Sequence, residues 1–110
     1  MQAVDTSKDA IYEAKWLDLL RRLVLMLTEG LPCNVFLFGS RAEGNYRRDS
    51  DYDVGVIGLS DEQFRELRFL LNGFLESSII PHKLDLVNFD QVRDEFKKVA
   101  LEKTILWKNV

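Results

Sequence analysis

Two short apolar runs, Val35–Phe38 and Val54–Ile57, stand either side of a small, charged segment, GSRAEGNYRRDSDYD. Each run has the length and composition of a buried strand. The segment between them is too short for the packed helical crossover that parallel neighbours require. The two strands are therefore expected as antiparallel neighbours joined by a compact connection, and the rest of the chain must be arranged around that pair.

Upstream, Leu17, Leu20, Val24 and Leu27 recur at helical spacing over about residues 9–28, and Trp16 and Leu23 widen the stripe. Thr6 or Ser7 offers an N-cap, and Gly30 followed by Pro32 closes the helix. Downstream, Ser60 and Gln63 form a capping-box pattern before a helix reaching about Glu76, with the stripe Phe64, Leu67, Leu71 and Phe74. Leu84–Phe89, after the Pro81 turn, predicts a third strand. Asp90 is expected to cap a last helix carrying Val92, Phe96, Val99 and Ala100, and Ile105–Trp107 a short edge strand. The order α-β-turn-β-α-β-α-β implies an α+β domain of α/β type. Its small mixed sheet is expected to have helices packed on one face and the other face open. A length of 110 residues suits a single domain spanning 1–110.

Composition narrows the function classes. A formal net charge of −3 provides no global positive field, so duplex nucleic acid is not an expected partner. The longest apolar run, Leu23–Leu27, is far short of the ~20 residues that span a bilayer. The first residues show no basic-then-apolar leader, so a cytoplasmic location and no membrane partner are expected. The lone Cys33 has no companion for a disulfide or a structural zinc site and reads as a small buried residue.

Three acids stand out. Alternation along a strand aims Asp51 and Asp53 to one side and Tyr52, Val54 and Val56 to the other. In the third strand Leu84 and Leu86 share a face, while Asp85 lies on the opposite one with Lys83 and Val87. An aspartate in an apolar strand costs stability unless solvent or a partner satisfies it. Asp85 can therefore converge with Asp51 and Asp53, and three such carboxylates suit hard divalent cations, magnesium or manganese. The plainer alternative is a strand start, a turn and an ion pair.

The preceding turn shifts that balance toward chemistry. Gly39, Ser40 and Gly44 bracket a segment whose backbone amides and Ser40 hydroxyl can approach an anion closely. It is not a Walker loop, because no Gly-Lys-Ser/Thr follows. Arg41, Arg47 and Arg48 can reach phosphates or simply be solvated, and Tyr46 can touch nucleotide or lie on the surface. His82, the only histidine, reads as a solvated turn position. Trp16 and Trp107 read as either core residues or interface anchors.

Gly39-Ser40 followed by Asp51-Tyr52-Asp53 resembles the Gly-Ser…Asp-x-Asp signature of the DNA polymerase β-like nucleotidyltransferase superfamily. The fuller string, with Gly44, Ser50 and the later acid of "KLDLV", is similar in particular to the minimal nucleotidyltransferases, or MNT proteins. The resemblance covers Val35 to Val87. It implies the polymerase β palm-like fold and transfer of a nucleoside monophosphate, usually AMP from ATP, with release of pyrophosphate. It further implies two metal ions, Mg2+ or Mn2+, held by Asp51, Asp53 and Asp85, with Asp85 helping to activate the acceptor hydroxyl. Gly39 and Ser40 would hold the β- and γ-phosphates, and Arg41, Gly44 and Ser50 complete the expected nucleotide-binding set.

Many MNT proteins are paired with small helical HEPN toxins, and some attach AMP to a toxin tyrosine. The resemblance implies such a partner here. Independently, so short a chain has little room for an acceptor-binding domain. The acceptor would then come from another chain, a second copy or a small molecule. The competing expectation is a nucleotidyltransferase-fold antitoxin that neutralises its partner by contact with little or no catalysis.

Overall fold

The computed structural model describes residues 8–110, with side chains from residue 11 onward. Four helices and four strands alternate along the chain: α1 (Lys8–Leu27), β1 (Asn34–Phe38), α2 (Ser40–Glu43), β2 (Tyr52–Ile57), α3 (Asp61–Glu76), β3 (Leu84–Asn88), α4 (Asp94–Ala100) and β4 (Ile105–Lys108). The strands form one mixed sheet in the order β3-β2-β1-β4. β1 and β2 are antiparallel, as the short connection requires, with Phe38 opposite Asp53 and Phe36 opposite Gly55. α3 is long enough to serve as a crossover, and β3 accordingly lies parallel to β2 with Asp53 beside Asp85. β4 closes the far edge antiparallel to β1.

Alternation gives the sheet two unlike faces. Val35, Leu37, Tyr52, Val54, Val56, Leu84 and Leu86 bury one face against Leu20 and Val24 of α1 and Phe64, Leu67 and Leu71 of α3. Cys33 is buried in this core, and Trp16 is buried beside the Tyr12 and His82 rings, so both are packing residues. Burial raises the Cys33 thiol above its ordinary range, only partly offset by the Lys108 charge. The Ser60–Gln63 capping box forms as expected. Beyond Leu71 the apolar stripe continues at Leu75, which packs on the core, while Phe74 is exposed. The Thr6 and Ser7 capping positions lie outside the described residues.

The second face is not fully open. Phe36, Phe38 and Phe89 form an edge-to-face cluster on it, fringed by Ile57, Val87, Val92 and Ala100. Phe96 of α4 stacks on its outside, 6.1 Å from Phe38 and 5.8 Å from Phe89 between ring centroids. The β3–α4 connection folds over this face because the aromatic rings offer it apolar surface. Asp90 does not cap α4, whose N-cap is Arg93. Its carboxylate instead accepts the Gly58 N–H at 2.8 Å, tying the end of β3 to the β2–α3 loop.

Candidate active site

The Gly-Ser turn is built from two glycines that only glycine conformations allow. Gly39 has φ 73°, directs the chain out of β1, and accepts the Ala42 and Glu43 amides through its carbonyl. Gly44 closes the single helical turn of α2 in the left-handed region, donating its N–H to the Ser40 carbonyl. Ser40 thus begins α2, at the end of β1 that abuts Asp53. The turn lies directly on that carboxylate: a Cβ at Gly39 would stand 2.4 Å from Asp53 Oδ2. Glycine is needed at this position twice over, for its dihedral and for the approach.

The acids take unequal positions. Asp53 is half-buried within β2, and Asp85 sits beside it in register on β3 and is exposed. Asp51 precedes the strand, which begins at Tyr52, and is exposed. Burial, then the neighbouring charges of Asp85 and Asp51, raises the Asp53 carboxyl above its ordinary range. Repulsion of this kind is what a bound cation relieves. Among the described residues, however, no three carboxylate, imidazole or thiol groups are gathered into a ready-made metal cage. Magnesium commonly uses one or two carboxylates and completes its shell with substrate phosphates, and the adjacent pair Asp53 and Asp85 is of that kind.

Several cavities border this region, and Asp51 lines one of about 450 Å³ with Tyr12, Arg48 and His82, apart from Asp53. One of about 360 Å³ opens on Gly39 and Asp53, with Phe38, Phe96 and Val99 as its apolar wall and Lys103 at its rim. A larger one, about 670 Å³, is lined by Glu13, Arg41, Tyr46 and Tyr52 and touches none of the three acids. The smaller cavity combines the Gly39 turn with the Asp53 carboxylate.

Arg41 turns away from the expected phosphates. Its side chain is only 2% exposed and paired with Glu13 of α1. Nη2 donates to the carbonyls of Arg48 and Ser50, at 3.1 and 2.8 Å. Tyr46 and Tyr52 cover the guanidinium, 4.4 and 4.2 Å from their ring centroids. Ser50 is likewise occupied locally, its hydroxyl accepting the Arg47 N–H at 2.8 Å. Arg48 lies over the Tyr12 ring at 4.3 Å. Sequence reasoning missed Glu13, although it lies four residues before Leu17 and therefore on the apolar stripe of α1. A carboxylate there needs a partner.

His82 is buried rather than solvated, its ring edge-to-face with those of Tyr12 and Tyr52. Burial, then the Arg41 charge, lowers its pKa from 6.5, with Arg48 acting the same way and Glu13 against. A group depressed in the fold contributes stability above its unfolded pKa and loses it as pH falls through the folded value. Lowering pH from 7 to 5 should therefore destabilise the protein relative to a His82→Phe variant. Parallel Tm profiles for the two proteins in that window would contradict this.

A nucleotidyltransferase domain model matches residues 17–107. No curated protein matches the chain in sequence. Among solved structures, a toxin–antitoxin with AMP-PNP aligns with a TM-score of 0.61 at 20% identity, over 82% of this chain and 73% of its own. A protein assigned as a minimal nucleotidyltransferase aligns at 0.58 and 24% identity, over 93% and 98%. A tri-AMPylated Shewanella oneidensis HEPN toxin in complex with its MNT antitoxin aligns at 0.57 and 17%, over 84% and 72%. These likenesses share the fold described above, and with the sequence model matched from α1 to β4 the chain belongs to the nucleotidyltransferase domain family.

Proposed function

We propose that this domain is a metal-dependent nucleotidyltransferase that moves AMP from ATP to an acceptor hydroxyl, a tyrosine of a HEPN-type partner. The observation that carries this reading is the Gly39 turn lying on the Asp53 carboxylate, with Asp85 in register beside it. The Gly39–Ser40 turn would hold the β- and γ-phosphates through backbone amides and the Ser40 hydroxyl. Asp51, Asp53 and Asp85 would hold Mg2+ or Mn2+, probed as a pair of ions. When bound, the metal neutralises phosphate charge and favours the attacking and leaving oxygens.

The acceptor oxygen attacks the α-phosphorus, the bond to the bridging oxygen breaks, and pyrophosphate leaves with that electron pair. Asp85, exposed beside Asp53, would take the acceptor proton. Positioning and charge neutralisation carry most of such a transfer. The solved relatives with AMP-PNP and with an AMPylated HEPN toxin support nucleotide and partner class.

Contact-only neutralisation is the second reading, favoured by Asp51 lining a different cavity from Asp53. One experiment separates them. The protein is mixed with α-labelled ATP, Mg2+ and a HEPN-type partner, with and without Asp53→Asn. Catalysis predicts label on the partner that vanishes in the variant. Neutralisation that survives the substitution with no label on either sample would establish the contact reading.

A further inference from the structure

We propose that Arg41 is a positioning residue: anchored by Glu13, it clamps the segment leading into Asp51 and fixes that acid relative to the Gly39–Ser40 turn. The proposal rests on the assignment of Asp51 and Ser40 to the site above. Its basis is covalent adjacency combined with hydrogen bonding. Arg41 immediately follows Ser40, and the Ser50 carbonyl it holds at 2.8 Å immediately precedes Asp51. One side chain therefore joins the phosphate-side turn to the first acid.

The guanidinium has little left to offer a nucleotide. Nη1 is taken by Glu13, Nη2 by two carbonyls, and both ring-covered sides are closed by Tyr46 and Tyr52. Nε lacks a partner but is itself buried. Reaching a phosphate would mean breaking the Glu13 pair and leaving that carboxylate without its cation. The segment from Arg47 to Ser50 is a turn closed on itself, with Ser50 N–H donating to the Arg47 carbonyl at 3.0 Å. Such a turn has no intrinsic reason to stand at one distance from α2. The Arg41 fork supplies that reason, and Glu13 fixes the fork to α1.

A lysine cannot reproduce the arrangement, because a single ammonium lacks the planar fork that meets a carboxylate and two carbonyls together. Replacing both charges by apolar groups is different. A buried ion pair exchanged for packed hydrophobic residues often leaves stability unchanged or improved. Glu13→Leu/Arg41→Met therefore separates the clamp from the fold.

The test compares wild type, this double variant and Arg41→Lys by thermal unfolding, amide hydrogen exchange, Mn2+ binding and label transfer. Both variants should stay folded, while the hydrogen-bonded amides of Arg47 and Ser50 exchange at least about tenfold faster and those of β1 and β2 are unchanged. Mn2+ should bind about tenfold more weakly. Where transfer is measured, kcat should fall about 10²-fold, the cost of a small misplacement, with the KM for ATP moving less than about threefold. Unchanged exchange at Arg47 and Ser50 in either folded variant would overturn the clamp. So would a raised KM with kcat intact, the signature of direct phosphate contact. Wild type that transfers no label would instead refute the proposed activity, and the exchange data would still decide the clamp.

Discussion

Replacing Asp53 with asparagine should abolish label transfer and, in metal-free buffer at pH 7, leave the protein as stable as wild type or more stable. The two effects come from one side chain. Asp53 is half-buried beneath the Gly39 turn and faces the charges of Asp85 and Asp51, so its carboxyl is raised above the ordinary range. A carboxyl raised in the fold favours folding when protonated and loses that contribution as pH rises through the folded value. At pH 7 the ionised form is thus a liability to the metal-free fold. Asparagine keeps the shape and drops the charge. The stability advantage of the variant should be present at neutral pH and disappear as pH falls below 3.8, the ordinary value for this group. Activity moves the other way, falling by at least about 10²–10³-fold, comparable to the loss of a preorganised electrostatic group. Mg2+ with ATP should raise the Tm of wild type but not of the variant, since only a ligand bound by the native state stabilises it. A variant less stable than wild type in chelator at pH 7, or one retaining most of the transfer, would refute this assignment.

Much of this arrangement is legible before any coordinates. The strand pair around GSRAEGNYRRDSDYD, the capping box at Ser60 and the alternation of Leu84, Asp85 and Leu86 depend on spacing within a few residues. Local sequence carries those signals directly. The pairing of Asp53 with Asp85 follows once β2 and β3 are parallel and in register. What stays hidden is the identity of partners brought together from afar. Arg41 reads in sequence as either a phosphate ligand or a solvated turn arginine, because no neighbour in the chain reveals a buried partner. Its burial depends on Glu13, Tyr46 and Tyr52, supplied by α1, the loop and β2. His82 looks solvated beside Pro81 and is enclosed because the rings of Tyr12, Trp16 and Tyr52 meet it. Asp90 has the right residue type for an N-cap, but the Gly58 amide lies closer and α4 begins later.

The second face of the sheet yields the largest expected loss of stability. Gly55 stands in β2 between the two strands' worth of aromatic rings, two residues beyond Asp53 and on the same face. A Cβ there would meet Phe36 ring carbons at 2.4 and 2.5 Å and Phe89 Cε1 at 2.7 Å. Neither ring can simply withdraw. Their centroids are 4.8 Å apart, and both pack edge-on against Phe38 or one another within the buried cluster. Overpacking of this kind costs about 1–3 kcal/mol, which for a domain of this size lowers Tm by roughly 5–15 °C. Gly55→Ala should fall toward the upper end because the ring tips that occupy the space are held in the buried cluster. Gly73→Ala provides the opposite sign. It lies within α3 with nothing within 4 Å of its added Cβ, so alanine should stabilise by about 0.5–1 kcal/mol through helix propensity. Adding Phe36→Leu to Gly55→Ala should recover part of the loss, since contacting residues are coupled rather than additive. Equal Tm shifts for Gly55→Ala and Gly73→Ala would contradict the ring contact. Full additivity in the double variant would do the same. The glycine that gives Phe36 and Phe89 room to cross β2 stands two residues from Asp53 on the same face of that strand, so displacing the rings also disturbs the wall beside that carboxylate.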